Sequence, residues 1–364
     1  MTKRILIIGG YGNFGSFIAH RLSQEPDIKV IIAGRSEEKA KMLAESLEAE
    51  WAVLDIESNF DESLKAIKPD IVIHTSGPFQ ERGYDVAEAC IRHKFHYIDL
   101  ADGREFVANI FKLNAVAKEA GILVISGASS VPALTSAIID KYKSEFKILD
   151  TAHYGIATAQ KTNRGLATTK AVLSYAGKPF KTMINGRMQT VYGWQSLHWR
   201  KFKGLGWRTL GNCDVPDLEL FPQRYPELKT IRFYAGLELP VIHLPLWLMT
   251  WLVRVGLISN LKNAAPFLLK LSRPFDLFGT DTSGFYMEMS GTDAANKPKR
   301  ITFNLIARSG DGPYIPCMPA ILTALMIARN QIHERGAFPC IGFLTLDALL
   351  DSLKPLDIEW KITS

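Results

Sequence analysis

Cysteine is scarce in this sequence. Only Cys90, Cys213, Cys317 and Cys340 occur, more than twenty residues apart and with no CxxC pair, which argues against a zinc ribbon or a disulfide framework. Reduced thiols and a cytoplasmic setting are the simplest reading. Internal repeats and low-complexity tracts are missing too, and no RNA- or DNA-binding signature occurs. No stretch reaches the roughly 20 uninterrupted apolar residues that a membrane-spanning helix needs. A secretory leader is not expected either, because Met1-Thr2-Lys3-Arg4 runs straight into Ile5-Leu6-Ile7-Ile8 without a small-residue cleavage site.

Acidic residues are absent from one long segment. Between Asp150 and Asp214 there is no Asp or Glu, while ten cations fall there: Lys161, Arg164, Lys170, Lys178, Lys181, Arg187, Arg200, Lys201, Lys203 and Arg208. The whole chain carries only +6, from 43 basic and 37 acidic residues, so the remainder is net acidic. Tyr192, Trp194, Trp199, Phe202 and Trp207 are interleaved with those cations, a mixture that suits nucleic acid, anionic lipid or a phosphorylated substrate. Nucleic acid is the weakest of the three for want of a motif. A small anionic molecule is the expected partner.

What is present begins at residue 3. Ile5–Ile8 is a buried-strand run, residues 16–22 have helical character, and Lys29–Ala33 reads as a second strand. Between the first two lies Gly10-Tyr11-Gly12-Asn13-Phe14-Gly15, a GxGxxG placed after a strand and opening a helix, the context that makes it a dinucleotide fingerprint. In that reading Gly10 allows the turn, Gly12 lets the backbone approach the diphosphate and Gly15 lets the helix pack, with Asn13 and Phe14 in its first turn. A NAD site usually ends its second strand with a carboxylate for the ribose 2′-hydroxyl. Here Gly34-Arg35-Ser36 stands instead, a guanidinium fork and a hydroxyl suited to a 2′-phosphate, so NADP is favoured over NAD.

The alternation continues through strands at 51–54, 70–74, 97–98 and 122–125, separated by helical stretches such as 40–47 and 84–93. The pattern is α/β, a Rossmann doubly wound parallel sheet with an inserted second α/β domain. Boundaries are expected at 1–130 for the dinucleotide domain, 131–313 for a substrate and dimerisation domain, and 314–364 for a helical segment returning to the first. Ser76, Gly77 and Pro78 follow the fourth strand at the ligand-binding edge, and Asp55 follows the third, where it would meet the adenine end. Cys90, His93 and His96 have a C-x2-H-x2-H spacing but straddle a helix end and a strand start, so no metal is assigned.

Gly9–Gly15, Ala33-Gly34-Arg35-Ser36, Ser76-Gly77-Pro78-Phe79, Tyr97-Ile98-Asp99-Leu100 and Gly127–Pro132 together resemble the saccharopine dehydrogenase family, in particular its bacterial members. Later pieces match more loosely: residues 164–168, 234–238 and 310–312. The resemblance implies hydride transfer between a nicotinamide and a carbon double-bonded to nitrogen, with cations for substrate carboxylates. Asp99 is the first choice for a polar site residue, with a turn-capping carboxylate as its alternative. Lys161 and Arg164 are candidate cations for the substrate anion, against a plain surface role.

Residues 239–253, LPVIHLPLWLMTWLV, carry no charge apart from neutral His243, and Arg254 to Ile258 follow. A dimer or core helix, a lid over a lipophilic substrate and an interfacial helix in peripheral membrane contact all fit. The function expected is an NADP-dependent oxidoreductase acting on an anionic, amino-acid-derived imine, as a homodimer. The alternatives are a reductase of a lipid-like C=C substrate at a membrane surface and a non-catalytic NADP-binding scaffold.

Overall fold

The computed structural model describes every residue except Met1, Glu81, Asn163 and Arg164. The chain divides into two compact units, Met1–Leu134 with Tyr314–Leu349 and Thr135–Pro313 with Leu350–Ser364. The first opens with β1 (Lys3–Ile8), α1 (Asn13–Leu22), β2 (Ile28–Gly34), α2 (Glu37–Ser46), β3 (Glu50–Val53) and α3 (Phe60–Ile67). It continues through β4 (Ile71–His74), α4 (Asp85–His93), β5 (His96–Asp99), α5 (Arg104–Ala108), α6 (Asn114–Glu119) and β6 (Leu123–Ser126). The second unit holds α7 (Thr135–Tyr142), β7 (Ile148–Thr158), α8 (Leu166–Ser174), β8 (Pro179–Ile184), β9 (Arg187–Tyr192), β10 (His198–Phe202) and β11 (Gly206–Asn212). After these come α9 (Asp217–Arg224), β12 (Thr230–Leu237), α10 (Pro240–Arg254), α11 (Ala265–Ser272), β13 (Ser283–Thr292) and β14 (Pro298–Ala307). The chain ends with α12 (Cys317–Ala328), β15 (Gly336–Pro339), α13 (Leu346–Leu353) and β16 (Ile358–Thr363).

The expected doubly wound sheet is observed. Its seven strands run in the order β15-β6-β5-β4-β1-β2-β3, and every pairing is parallel. Strands covered on both faces read as continuous apolar runs, as β4 and β6 do, each buried throughout. Strand β3 lies at the edge and alternates instead, with Trp51 and Val53 outward. Leu6, Ile31, Val72, Tyr97 and Val124 meet Leu64, Val86 and Cys90 of the helices in one core. Helix α12 packs on α1, β4 and β5, and Arg329 at its end pairs with Glu25 at 2.6 Å and Asp27 at 2.9 Å.

The C-terminal segment differs from the helical expectation. Helix α12 belongs to the first unit, but β15 adds a seventh strand beside β6, and β16 pairs with β14 in the other sheet. Gly336-Ala337-Phe338-Pro339 has no apolar alternation to reveal it. Its position is fixed by pairing with β6 and by the Asn114 Oδ1, which accepts from the Ala337 amide at 3.0 Å.

The second sheet has the order β10-β11-β12-β7-β13-β14-β16 and is mixed. Its pairs are antiparallel except β12 with β7. The alternating stretches in β13 and β14 form the hairpin their pattern suggests. The acid-free segment folds largely into two hairpins, β8–β9 and β10–β11, which leave Trp199, Trp207, Lys201 and Lys203 exposed.

Candidate dinucleotide site

The chain leaves β1 in a turn that only glycines fit. Gly9 has φ +75°, and a Cβ there would stand 2.5 Å from the Ser76 Oγ. Gly9, rather than Gly10, therefore supplies the left-handed turn. Gly10 is required for a different reason: a Cβ would meet the Ile32 Cγ2 and the Ile7 carbonyl, each at 2.9 Å. The amides of Gly9 and Gly10 both donate to the Ala33 carbonyl, which ties the turn to β2. A Cβ on Gly15 would come within 2.2 Å of the Gly9 carbonyl, so α1 begins pressed against the turn itself. Gly12 is exposed at the cap position of α1, which has no side-chain cap and no acid in its first turn, where Asn13 and Phe14 lie. Uncapped first-turn amides and the positive end of the helix dipole make an anion site.

Arg35 leaves the end of β2 exposed, and among the described residues it has no ion pair. Ser36 caps α2, its Oγ accepting from the Lys39 amide at 3.4 Å. Tyr11, which the sequence reading passed over, joins these two pieces. Its ring covers Gly34, where a Cβ would be 2.5 Å away, and its hydroxyl accepts from the Ser36 amide at 2.9 Å. Asp55 turns inward on its own loop, Oδ1 accepting from the Glu57 amide at 3.1 Å.

Thr75 binds the end of β4 to the glycine turn, its amide and Oγ1 both donating to the Ile8 carbonyl at 3.0 and 2.9 Å. Ser76, Gly77 and Pro78 follow, half-buried, with a cis peptide between the last two. Beneath them Phe79 is buried against the rings of His74 and Phe106.

Asp99 is fully buried. Its Oδ1 accepts from the amides of Ala101 and Gly127 at 2.9 and 2.8 Å and from the Ser126 hydroxyl at 2.9 Å. Of its two sequence readings the geometry matches the turn clamp: it fastens the ends of β5 and β6 together. Burial outweighs those bonds and pushes its carboxyl up to about 6. Beside it Tyr97 bonds the His74 Nδ1 at 3.0 Å, and burial drives that imidazole down to about 3, so it is neutral. Cys90, His93 and His96 are engaged separately: the thiol is buried, His93 bonds Asp61 at 2.8 Å and the His96 Nδ1 accepts from the Leu123 amide at 3.0 Å. No cluster of three metal-ligating side chains occurs among the described residues.

In the second unit Lys161 is exposed on the loop after β7, its amide donating to the Thr280 carbonyl at 2.9 Å. Arg164 lies outside the described residues. Glu238 is the polar centre there that sequence reasoning missed. Buried at the end of β12, it accepts from the amides of Gln160 and Thr280 at 2.8 and 2.9 Å and pairs with Arg208 at 3.3 Å. A lone Glu after a strand gave no sign of this, because its partners are 30 to 78 residues away.

Residues 5–125, a third of the chain, match the family model of the saccharopine dehydrogenase NADP binding domain. The chain is similar to that domain over this stretch. Its fold is similar to that of apo saccharopine dehydrogenase (L-Glu forming) from Saccharomyces cerevisiae, with TM-score 0.70 and 15% identity over 100% of both chains. It is also similar to homospermidine synthase from Legionella pneumophila in complex with NAD, with TM-score 0.60 and 12% identity over 100% of this chain and 92% of that one. A trans-acting enoyl reductase of Mycobacterium leprae is 28% identical over 137 residues, 35% of this chain. That match spans 33% of the relative's own length. The sequence match is thus to an NADP-binding domain over residues 5–125, and the likeness over the whole chain is one of fold.

Proposed function

We propose that the chain is an NADP-dependent oxidoreductase passing hydride between the nicotinamide and an anionic, amino-acid-derived imine. The preference for NADP rests on Arg35, exposed, unpaired among the described residues and standing where a NAD site places a carboxylate. The residues present fit the cofactor: Gly9, Gly10 and Gly15 form a cradle that a Cβ would fill, and the uncapped α1 meets the diphosphate. Arg35 would hold the 2′-phosphate, and Tyr11 and Ser36 fix the backbone beside it. Bound NADPH supplies the hydride. Asp99 and Thr75 act as positioning residues, holding the loops after β5, β6 and β4 at the sheet edge. Lys161 and Arg164, in the second unit, are the proposed cations for the substrate carboxylate. The four free, buried thiols support a reducing, cytoplasmic compartment.

A second reading, reduction of a C=C bond in a lipid-like substrate, is favoured by the enoyl reductase relative and by the exposed apolar side chains of residues 241–278. The two separate in one assay. NADPH oxidation is followed with pairs of amino acids and oxo acids that form imines, and with acyl-thioester enoyl substrates. Turnover of the imine-forming pairs supports the first reading, and turnover of enoyl substrates alone replaces it with the second.

A further inference from the structure

We propose that residues 240–278 form a docking surface that seats the protein on an anionic lipid bilayer. A helix on a protein surface normally buries its apolar stripe and shows its polar one. Helix α10 buries two polar side chains beside Leu246 and Val253 and leaves large apolar ones outward. Its buried positions include His243 and Thr250, the first accepting from the Leu237 amide at 3.2 Å and the second bonded to Gln195 at 3.3 Å. Outward are Val241, Leu248 and Leu252, and just past the helix end Val255, exposed by 55%, 59%, 40% and 65%. Their spacings of seven, four and three residues put them on one face.

Helix α11 and the turn behind it repeat the arrangement with Phe267, Leu271, Leu277 and Phe278, the last two exposed by 85% and 76%. Helix α8 packs against α11. A Cβ on Gly177, just beyond α8, would stand 2.3 Å from the Thr250 carbonyl of α10, so the two apolar helices flank one element. Ten of the 21 large apolar side chains exposed among the described residues lie within 241–278, about a tenth of the chain. Such a concentration marks an interaction surface rather than scattered exposure.

Charge decides the occupant. From 240 to 278 the one acid is Asp276, which accepts from the Gln160 side-chain amide at 2.7 Å, and Arg254, Lys262, Lys270 and Arg273 leave the segment at +3. A second copy would bring like charge to the same face, whereas anionic headgroups bring the opposite sign. Apolar side chains entering the acyl boundary with cations held at headgroup level is the geometry of an interfacial helix. No helix among the described residues is long and apolar enough to cross a membrane, so the contact is peripheral. This proposal does not depend on the substrate reading.

Co-sedimentation of the full chain with vesicles tests it, using phosphatidylcholine alone or mixed with phosphatidylglycerol. Partition onto the mixed vesicles is expected to exceed that onto phosphatidylcholine by about tenfold or more and to fall as salt is raised. Leu248→Asp with Leu252→Asp removes the binding, while an unchanged melting temperature and NADPH affinity show that the fold is kept. Lys270→Glu with Arg273→Glu weakens it by about tenfold or more, and serves if the first variant fails to fold. Equal partition onto both vesicle types, none onto either, or full binding by the leucine variant overturns the proposal. A dimer that the leucine variant splits, with no vesicle binding, assigns the face to a second copy and overturns it as well.

Discussion

Replacing Arg35 by alanine separates the two nicotinamide cofactors. The side chain is exposed and has no ion pair among the described residues, so its removal leaves the fold untouched and changes only what it would hold. A charge-assisted hydrogen bond contributes about 1.5–3 kcal/mol, which corresponds to roughly 10- to 100-fold in Kd. NADPH affinity should fall by that factor, and NADH, which lacks the 2′-phosphate, should bind the variant as it binds the parent. Because the group is exposed, raising the salt should shrink the difference. Fluorescence titration with both reduced cofactors at low and high salt reads all three effects. Equal loss for the two cofactors, or no loss for either, would refute the assignment of Arg35 to the 2′-phosphate.

Gly15→Ala should destabilise the first unit by about 1–3 kcal/mol, because the new Cβ would meet backbone atoms, Gly9 O at 2.2 Å and Gly10 Cα at 2.8 Å. Gly12→Ala, facing only Gly9 O at 3.0 Å, should cost less, and denaturant melts that rank the two the other way contradict the packing described. Asp99 has its folded pKa raised from 3.8 to about 6, so the stability tied to its protonated form is present below about pH 4 and lost as pH rises through about 6. Asp99→Asn lacks that loss, and its melting temperature relative to the parent should therefore rise from about pH 4.5 to about pH 7.5. A difference that stays constant over that range removes the case for a buried, desolvated carboxylate.

The first unit was legible because its signals are local. A strand, four residues of turn and a helix carry the fingerprint within 3–22, and buried runs mark β1, β4 and β6 without knowledge of their partners. Roles set by distant contacts were not legible. Gly9 owes its importance to Ser76, and Tyr11 to Gly34 and Ser36, none of which a GxGxxG spacing contains. Strand β15 was not legible because its four residues lack alternation and acquire strand character only from β6, whereas Ile358-Glu359-Trp360-Lys361-Ile362-Thr363 of β16 does alternate, a strand signal that the helical expectation for the tail overlooked. Asp99 had two readings, and the three donors around Oδ1, set by the distant Ser126 and Gly127, match the turn clamp. The charge of segment 151–213 was plain, but its hairpins and the tie from Arg208 to Glu238 come from pairing across the sheet.

The cradle between β1 and α1 is tested most directly by a thermal melt of the purified chain with increasing NADPH, alongside titration of the cofactor's fluorescence. Saturating fluorescence enhancement is expected, with a melting temperature that climbs by a few degrees once NADPH exceeds its Kd about a hundredfold, equivalent to about 2.7 kcal/mol. A flat melting temperature together with unaltered fluorescence, for NADPH and NADH alike, would contradict dinucleotide binding at this turn.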